Sequence, residues 1–208
     1  MSRLSENLMA GARSPNTTPR AEFSCEQRRV LLGVARAAIA SGLAGEPLPD
    51  SPPASSSPLW PGLTESRGVF TTLYLAGQLR GCVGYALPIR PLYRAVAETA
   101  RAAAFDDSRF WPVTPEEARH LQISLSVLSR LFPISAGEVE VGRHGLLISD
   151  GIRRGLLLPQ VPIEHDWDRE TFLAQTCHKA GLPLDAWRNS ATIEAFTAEL
   201  FGDEDAPS

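Results

Sequence analysis

The sequence predicts an α+β fold in which helices flank a mainly antiparallel sheet. Residues 68–86 have the pattern of a β-hairpin, and its first strand is rich enough in β-branched, aromatic and aliphatic residues to be internal. Asp150 and Gly151 form a second hairpin signal within the strand-like stretch 138–158. Helical segments are interspersed among these strands without strict strand–helix–strand alternation, which favours antiparallel pairing.

Apolar periodicity, capping residues and terminating glycines predict four helices: residues 22–42, Pro91 to about Phe105, a short helix opened by Thr114, and Asp168 to Gly181. Gly42 and Pro47 are expected to end the first helix. Thr114 and Glu117 have the spacing of a capping box, with Pro115 in the first helical turn.

Two further strands follow from the pattern of residue types. Apolar and polar residues alternate from Leu121 to Ser129, as they do in a strand with one buried face. Thr192 to Phe201 is predicted as a single final strand.

A chain of 208 residues suits one domain, which we place over residues 21–202. Residues 1–20 are polar and poor in apolar anchors, so a disordered tail is expected there. Residues 203–208 form a short acidic tail. Residues 45–62 are rich in proline and serine, which indicates an extended surface loop that either separates two lobes or acts as a lid.

Composition narrows the class of protein. The formal net charge of -4 argues against a protein that binds a nucleic-acid backbone. The three cysteines, Cys25, Cys82 and Cys177, are too few and too widely spaced for a disulfide framework. Neither a signal peptide nor an apolar run of about 20 residues is present, so we expect a cytoplasmic protein with reduced thiols and no membrane partner.

The segment from Leu79 to Gly84 has the most function-like chemistry. On a regular strand, Arg80 and Cys82 share one face, and a guanidinium beside a thiol favours the reactive thiolate. Gly81 and Gly84 leave room for a bulge, for another backbone or for a ligand. The structural alternative is that Cys82 is a small core residue and that the glycines mark only a bulge.

Five stretches in order resemble the AMMECR domain family, whose bacterial and archaeal members are called AmmeMemoRadiSam system protein A: residues 79–84 (Leu-Arg-Gly-Cys-Val-Gly), 108–113 with the helix start after them, 123–128, 155–161 and 177–182. The resemblance covers about residues 22–201. It implies an α+β fold in two lobes with the motif residues near a cleft between them. It also implies kinship with a system that contains a Memo-like protein and a radical SAM protein, while the family's biochemical activity is not settled.

The same resemblance adds candidate ligand-binding residues to Gly81 and Gly84: Arg109, Gln160 and Lys179. Gln160 follows a buried strand, where a side chain can reach a cleft or simply satisfy nearby backbone groups. Lys179 places a cation either at the site or at a helix C-terminus. Cys177 shares the apolar face of its predicted helix and is expected in the core, while His178 points about 100° away from it.

A general base cannot be singled out from the sequence; the candidates are His144, His165 and Glu164. The four histidines and three cysteines lack metal-ligand spacing, and no phosphate loop, dinucleotide fingerprint or serine nucleophile elbow is present, so we expect no metal and no cofactor.

Two hypotheses remain at this point. In the first, the protein is a thiol-dependent enzyme in which Cys82 is the nucleophile or carrier and Arg80 is its thiolate partner. In the second, it is a non-catalytic ligand-binding or adaptor protein for the Memo-like or radical SAM partners, in which Arg80 recognises the ligand and Cys82 only packs.

Overall fold

The computed structural model describes residues 22–48 and 60–203, which form two four-stranded antiparallel sheets. The predicted α+β fold with antiparallel pairing is therefore confirmed. The helices are α1 (Cys25–Leu43), α2 (Trp60–Thr64), α3 (Leu92–Phe105), α4 (Pro115–Ala118), α5 (Val161–Glu164) and α6 (Arg169–Lys179). The strands are β1 (Val69–Leu75), β2 (Gln78–Tyr85), β3 (Leu121–Leu128), β4 (Phe132–Pro133), β5 (Gly145–Asp150), β6 (Arg153–Leu157), β7 (Thr192–Phe196) and β8 (Ala198–Gly202).

The first sheet has the strand order β2-β1-β3-β8, so β1 is internal as predicted and β2 lies at an edge. Helices α1 and α3 cover one face of this sheet. On β1, Val69, Thr71 and Leu73 are buried against that helical layer, because alternate residues of a strand share a face. The hydroxyls of Thr71 and Thr99 share a buried hydrogen bond of 2.8 Å that joins the strand to α3.

The second sheet has the order β4-β7-β5-β6 and packs against α6. Its core gathers Leu146 and Ile148 from β5 with Phe172 and Leu173 from α6. Cys177 is completely buried in this cluster, and burial raises the pKa of its thiol. The prediction that Cys177 is a core residue is confirmed.

Two chain segments join the sheets side by side. The chain runs from β3 to β4 through residues 129–131, and from β7 to β8 through Thr197. The backbone N–H of Ser129 donates to the Thr197 carbonyl at 2.8 Å, and the Thr197 N–H donates to the Ser129 hydroxyl at 3.0 Å. The prediction of one strand over 192–201 is wrong, because this side-chain contact interrupts the ladder and sends the two halves into different sheets.

A buried arginine supports the same junction. Arg67 is only 6% exposed and forms ion pairs with Glu22 and Glu65. Its Nη1 also donates to the carbonyl of Leu128 at 3.2 Å, at the end of β3. Because a buried charge is tolerated only when it is paired and hydrogen-bonded, this network fixes the end of β3 next to the N-terminus of the described chain.

Most helix ends confirm the sequence prediction. Thr114 and Glu117 form the expected capping box, and Asp168 caps α6, which is followed by Gly181 at φ +70°. The first helix, however, passes Gly42 and ends at Leu43, with Gly45 at φ +70° just beyond it. Gly42 serves packing instead, since a Cβ there would lie 2.3 Å from the Phe105 ring.

The end of the predicted proline-rich loop is helical. Residues 60–64 form α2, which includes the last three residues of the loop predicted over 45–62. A proline in the first turn of a helix forgoes no intrahelical hydrogen bond, which is why Pro61 does not prevent this helix. Residues 49–59, the tail 1–20 and residues 204–208 of the acidic tail lie outside the described residues, and the domain boundaries stay a prediction. Among the described helices, none is long and apolar enough to cross a membrane.

The hairpin between β1 and β2 places an alanine in a left-handed conformation. Leu75 pairs with Gln78, and the two turn residues Ala76 and Gly77 have φ of 50° and 75°. Such a turn favours asparagine or aspartate at its first position, because alanine gains nothing locally from a positive φ.

Ala76→Asn should therefore raise the free energy of unfolding by about 0.5 to 1 kcal/mol, and Ala76→Val should lower it, because a β-branched side chain resists a positive φ. Chemical denaturation of the two variants beside the wild type measures both effects. Ala198→Asn, at an exposed strand position, is the control and should not stabilise. Equal midpoints for the Ala76 variants would contradict this account of the turn.

Candidate functional site

The edge strand β2 carries a bulge at Arg80. Leu73 pairs with Gly81 and Tyr74 pairs with Leu79, so Arg80 has no partner residue on β1. A bulge breaks the strict alternation on which the sequence prediction relied. The bulge interrupts the alternation at Arg80, and the expectation that Arg80 and Cys82 share one face stays a prediction.

Arg80 is engaged by the acidic residue that caps α4. Its Nε and Nη2 donate to the two carboxylate oxygens of Glu117, each at 3.0 Å, and its guanidinium carbon lies 5.9 Å from the centre of the Phe110 ring. The Arg80 side chain is only 13% exposed, and its hydrogen bonds lower the pKa of Glu117. The charge of Arg80 is thus neutralised by Glu117, and the contacts do not support its predicted role as the thiolate partner of Cys82.

The thiol of Cys82 is half-buried and is contacted by a neighbouring hydroxyl. Cys82 pairs with Thr72 across the hairpin, and the Thr72 hydroxyl donates to Sγ at 3.3 Å. The thiol is therefore not sealed in the helical layer, where the alternate residue Val83 packs. The core-residue alternative for Cys82 loses its main support.

The backbone of Cys82 is held by an ion pair at the free edge of β2. Its N–H donates to Asp107 Oδ2 at 2.9 Å, and its carbonyl accepts from Arg109 Nη2 at 3.4 Å. Asp107 and Arg109 bind each other through two hydrogen bonds of 2.9 and 2.7 Å. The carboxylate and the guanidinium thus occupy the places that a neighbouring strand's acceptor and donor would take. We call this pair the edge clamp.

Asp107 and Arg109 stabilise each other's charged form in the edge clamp. The hydrogen bonds from Arg109 hold the pKa of Asp107 far below its usual range, burial opposes this effect, and the N–H of Cys82 adds to it. The Asp107 side chain is 7% exposed, whereas that of Arg109 is 55% exposed. Asp107 in turn raises the pKa of Arg109, and the nearby Cys82 contributes to that rise. The clamp therefore presents a permanent cation beside Cys82 and toward solvent.

Aromatic residues flank this cation. The guanidinium carbon of Arg109 lies 5.5 Å from the centre of the Phe110 ring, which also faces Arg80. Trp111, the next residue, is 88% exposed. An exposed tryptophan and a cation that is only partly covered are both available to a ligand or to a partner.

Both motif glycines have packing roles. A Cβ on Gly81 would lie 2.1 Å from the carbonyl oxygen of Ala103, so α3 can cross β2 only above a glycine. A Cβ on Gly84 would lie 2.3 Å from the Phe70 ring. These contacts explain the glycines without a ligand, and their ligand-binding role stays a prediction.

Gln160 and Lys179 lie in the second-sheet region, by which we mean the second sheet together with α5 and α6. Gln160 is exposed at the start of α5, and Lys179 is the exposed last residue of α6. The motif stretches that contain them meet each other, because a Cβ on Gly155 would lie 2.3 Å from the backbone nitrogen of Ala180. The described hydrogen bonds and ion pairs do not join either residue to Cys82, so the shared cleft between two lobes stays a prediction.

The three candidate bases also belong to the second-sheet region. His144 is buried, its Nδ1 accepts the N–H of Glu140 at 3.1 Å, and burial lowers its pKa, so it is a neutral structural residue. The exposed His165 stacks on Trp167 with 4.7 Å between ring centres, and Glu164 is exposed at the end of α5. Across residues 22–48 and 60–203, no group of three His, Cys, Asp or Glu residues is placed to hold a metal ion.

Sequence reasoning missed the residues that touch Cys82. Asp107 stands two positions before Arg109 and adjoins a motif stretch, which is a signal that could have identified it. Thr72 could not be identified, because ordinary hairpin pairing from a two-residue turn places it opposite Gly81 and only the bulge brings it opposite Cys82.

The fold and the site can now be compared with known proteins. The model of the AMMECR1 family matches residues 32–201. The chain belongs to the AMMECR1 family. Similar proteins occur in Thermococcus gammatolerans, with 46% identity over 178 residues (80% of this chain and 83% of the relative), and in Thermococcus kodakarensis, where protein TK0174 is 44% identical over 186 residues (84% and 89%).

A solved structure supports the family fold. The crystal structure of the uncharacterised protein PH0010 from Pyrococcus horikoshii is similar to this AMMECR1-family chain with a TM-score of 0.68 and 40% identity. The match covers 88% of this chain and 94% of that one. Neither PH0010 nor the two Thermococcus proteins has a name that states an activity.

Asp107→Asn should lower the free energy of unfolding at neutral pH by about 1 to 3 kcal/mol, because the variant leaves Arg109 without its carboxylate. The pKa of Asp107 is lowered on folding, so its contribution is complete above the ordinary carboxyl pKa of about 4 and is lost as the pH falls toward the folded value. The stability difference between wild type and variant should therefore shrink from about pH 7 to about pH 3.

Denaturation midpoints at both pH values measure this difference. Asp150→Asn is the matched control, since that exposed carboxylate accepts only from the Ser190 hydroxyl among the described contacts. A loss of stability in Asp107→Asn that is equally large at both pH values would contradict the assigned ion pair.

Proposed function

We propose that this AMMECR1-family protein is a thiol-dependent enzyme that acts on a small molecule, with Cys82 as its nucleophile. The observation that carries the proposal is a half-buried cysteine whose thiol accepts from the Thr72 hydroxyl and whose backbone carbonyl accepts from the guanidinium of Arg109. A hydroxyl donor and a nearby guanidinium are the kinds of group that activate cysteines, whose reactive form is the thiolate. Both arginines are paired with a carboxylate, but Arg109 contacts Cys82 and is 55% exposed, so we assign to it the role that the sequence predicted for Arg80.

The chemistry that this site favours is acyl transfer. The Cys82 proton is released to solvent, the thiolate sulfur bonds to the carbonyl carbon of an ester, thioester or amide, and the leaving group departs with the bonding electron pair and takes up a proton. Water or a second acceptor then cleaves the acyl–sulfur bond and restores the thiol. Arg109 faces the negative charge that develops on the carbonyl oxygen.

The cellular setting is part of the proposal: the family resemblance implies the two partners, and the cytoplasm is the compartment that the sequence predicts. We place the protein in the cytoplasm, beside a Memo-like protein and a radical SAM protein of the same system. Reduced thiols are needed for the proposed nucleophile, and the cytoplasm maintains them. Gln160 and Lys179 are the further residues that the resemblance assigns to ligand binding.

Cys82 should react with iodoacetamide near neutral pH about tenfold faster than N-acetylcysteinamide does, because Thr72 and Arg109 favour its thiolate. Arg109→Gln should remove most of this advantage. Arg143→Gln is the matched control, since Arg143 is an exposed arginine whose described ion pair is with Glu140 in the second-sheet region. Mass spectrometry of the Cys82 peptide follows each rate. A Cys82 rate no higher than that of the model thiol would refute the enzyme proposal.

A second candidate function is a non-catalytic adaptor, and the exposed side chains of Trp111 and Leu79 favour it. Leu79 precedes Arg80, and Trp111 follows Phe110, whose ring faces Arg80 and Arg109, so a partner docked on them would cover the site. In this case Trp111→Ala should abolish co-purification of the Memo-like or radical SAM protein, while Cys82→Ser should leave it intact. Loss of the complex in Cys82→Ser alone would contradict the adaptor function.

A further inference from the structure

The first sheet has a second face that its helices do not cover. On this face Cys82 pairs with Thr72, Thr72 with Ser124, and Ser124 with Gly202, so one row crosses all four strands. Neighbouring strands lie about 4.8 Å apart, so the row from Cys82 to Gly202 is about 14 Å long. We call this row and the space above it the trough.

The trough is open over the part that contains Cys82. Along the same face of β3, Gln122 is exposed, Ser124 and Ser126 are half-buried, and Leu128 is 3% exposed. The side chains on this face of β3 therefore become more buried toward the junction with the second sheet. Phe70 stands on the junction side of the row and Tyr74 on the outer side, because they flank Thr72 on β1 at the same face.

A cavity of about 440 Å³ lies at the far end of the trough. Its volume is within the range of small-molecule sites. Its lining includes side chains of the uncovered face and the backbone where β8 ends: Tyr74, Gln122, Ser124, Leu200, Gly202 and Asp203. The cavity and the thiol are thus two ends of one surface, separated by the Thr72 side chain.

The cavity lining favours an uncharged ligand. Among the described residues that line the cavity, Asp203 is the one charged residue, and its carboxylate already accepts the N–H of Ile123 at 2.7 Å and pairs with Arg36 at 2.6 Å. Tyr74 and Ser124 present hydroxyls, which donate and accept hydrogen bonds equally well. Amide groups match such a surface, because each offers one acceptor and at least one donor, whereas a carboxylate would be desolvated without a cation.

We propose that the substrate of Cys82 is an uncharged, extended amide-bearing molecule whose electrophilic end lies at the thiol and whose body follows the trough into this cavity. The inference rests on the proposed function and names its substrate class. Three peptide units span about 10 Å, which is enough to reach from the thiol past Ser124.

The first test compares three alkylating reagents on the full chain: iodoacetamide, iodoacetyl-Gly-Ser-Gly-amide and iodoacetyl-Gly-Glu-Gly-amide. In each reaction the thiolate sulfur bonds to the methylene carbon, iodide leaves with the electron pair, and the thiol proton goes to solvent. The ratio of the reaction rate of the neutral tripeptide reagent to that of iodoacetamide should be about tenfold higher at Cys82 than at N-acetylcysteinamide. The glutamyl reagent should not show this higher ratio.

Matched variants locate the preference. Ser124→Phe fills the trough with a side chain that strands accept, so the preference of Cys82 for the neutral tripeptide reagent should disappear. Thr192→Phe makes the same change at an exposed position of β7 and should leave the preference intact. Equal relative rates for all reagents in the wild type, or a preference that survives Ser124→Phe, would overturn the trough as the substrate site.

A second test does not depend on thiol chemistry. Acetyl-Gly-Ser-Gly-amide, titrated into the Cys82→Ser variant, should shift backbone amide NMR signals of residues 72–74, 122–124 and 200–203 and leave the strands β5 and β6 unchanged. If residues 72–74, 122–124 and 200–203 shift but Cys82 of the wild type does not react faster than the model thiol, the trough is supported and the enzyme proposal is rejected. A fast iodoacetamide reaction without these shifts and without a reagent preference would reject the trough and retain the thiol site.

Discussion

The carboxylate of Asp107 is the constraint on which the site depends. It accepts the backbone N–H of Cys82 and holds Arg109 through two further hydrogen bonds, so one buried charge fixes both the strand edge and the cation. An uncovered edge strand exposes donors and acceptors that invite another strand. The edge clamp removes this liability at Cys82 and at the same time brings a guanidinium next to the thiol.

The packing of the helices on the first sheet determines the position of the edge clamp. Because Gly81 allows the carbonyl of Ala103 to approach β2, the C-terminal end of α3 reaches the strand edge and delivers Asp107 just beyond it. The loop continues past Phe110 to Glu117, which neutralises Arg80. Two motif stretches that are separate in the sequence therefore form one surface, and the polar face of the same sheet extends that surface toward Gly202.

Local signals predicted the regular parts of the fold and failed where a single residue changed the pairing. The hairpin, the capping box at Thr114 and the end of α6 at Gly181 follow from residue types that act within one turn or strand. The bulge at Arg80 follows only in part, because Gly81 and Gly84 indicate a bulge without fixing the residue at which the pairing shifts. The shift in pairing hides Thr72 from the sequence, whereas Asp107 adjoins a motif stretch and could have been identified.

A double-mutant cycle on Cys82 alkylation tests the central claim most directly, namely that Asp107 acts on the thiol through Arg109. If the two residues form one unit, Asp107→Asn and Arg109→Gln should each slow iodoacetamide by a similar factor, and the double variant should be no slower than either single variant. Independent effects that multiply in the double variant, or a normal rate in Asp107→Asn, would contradict the account.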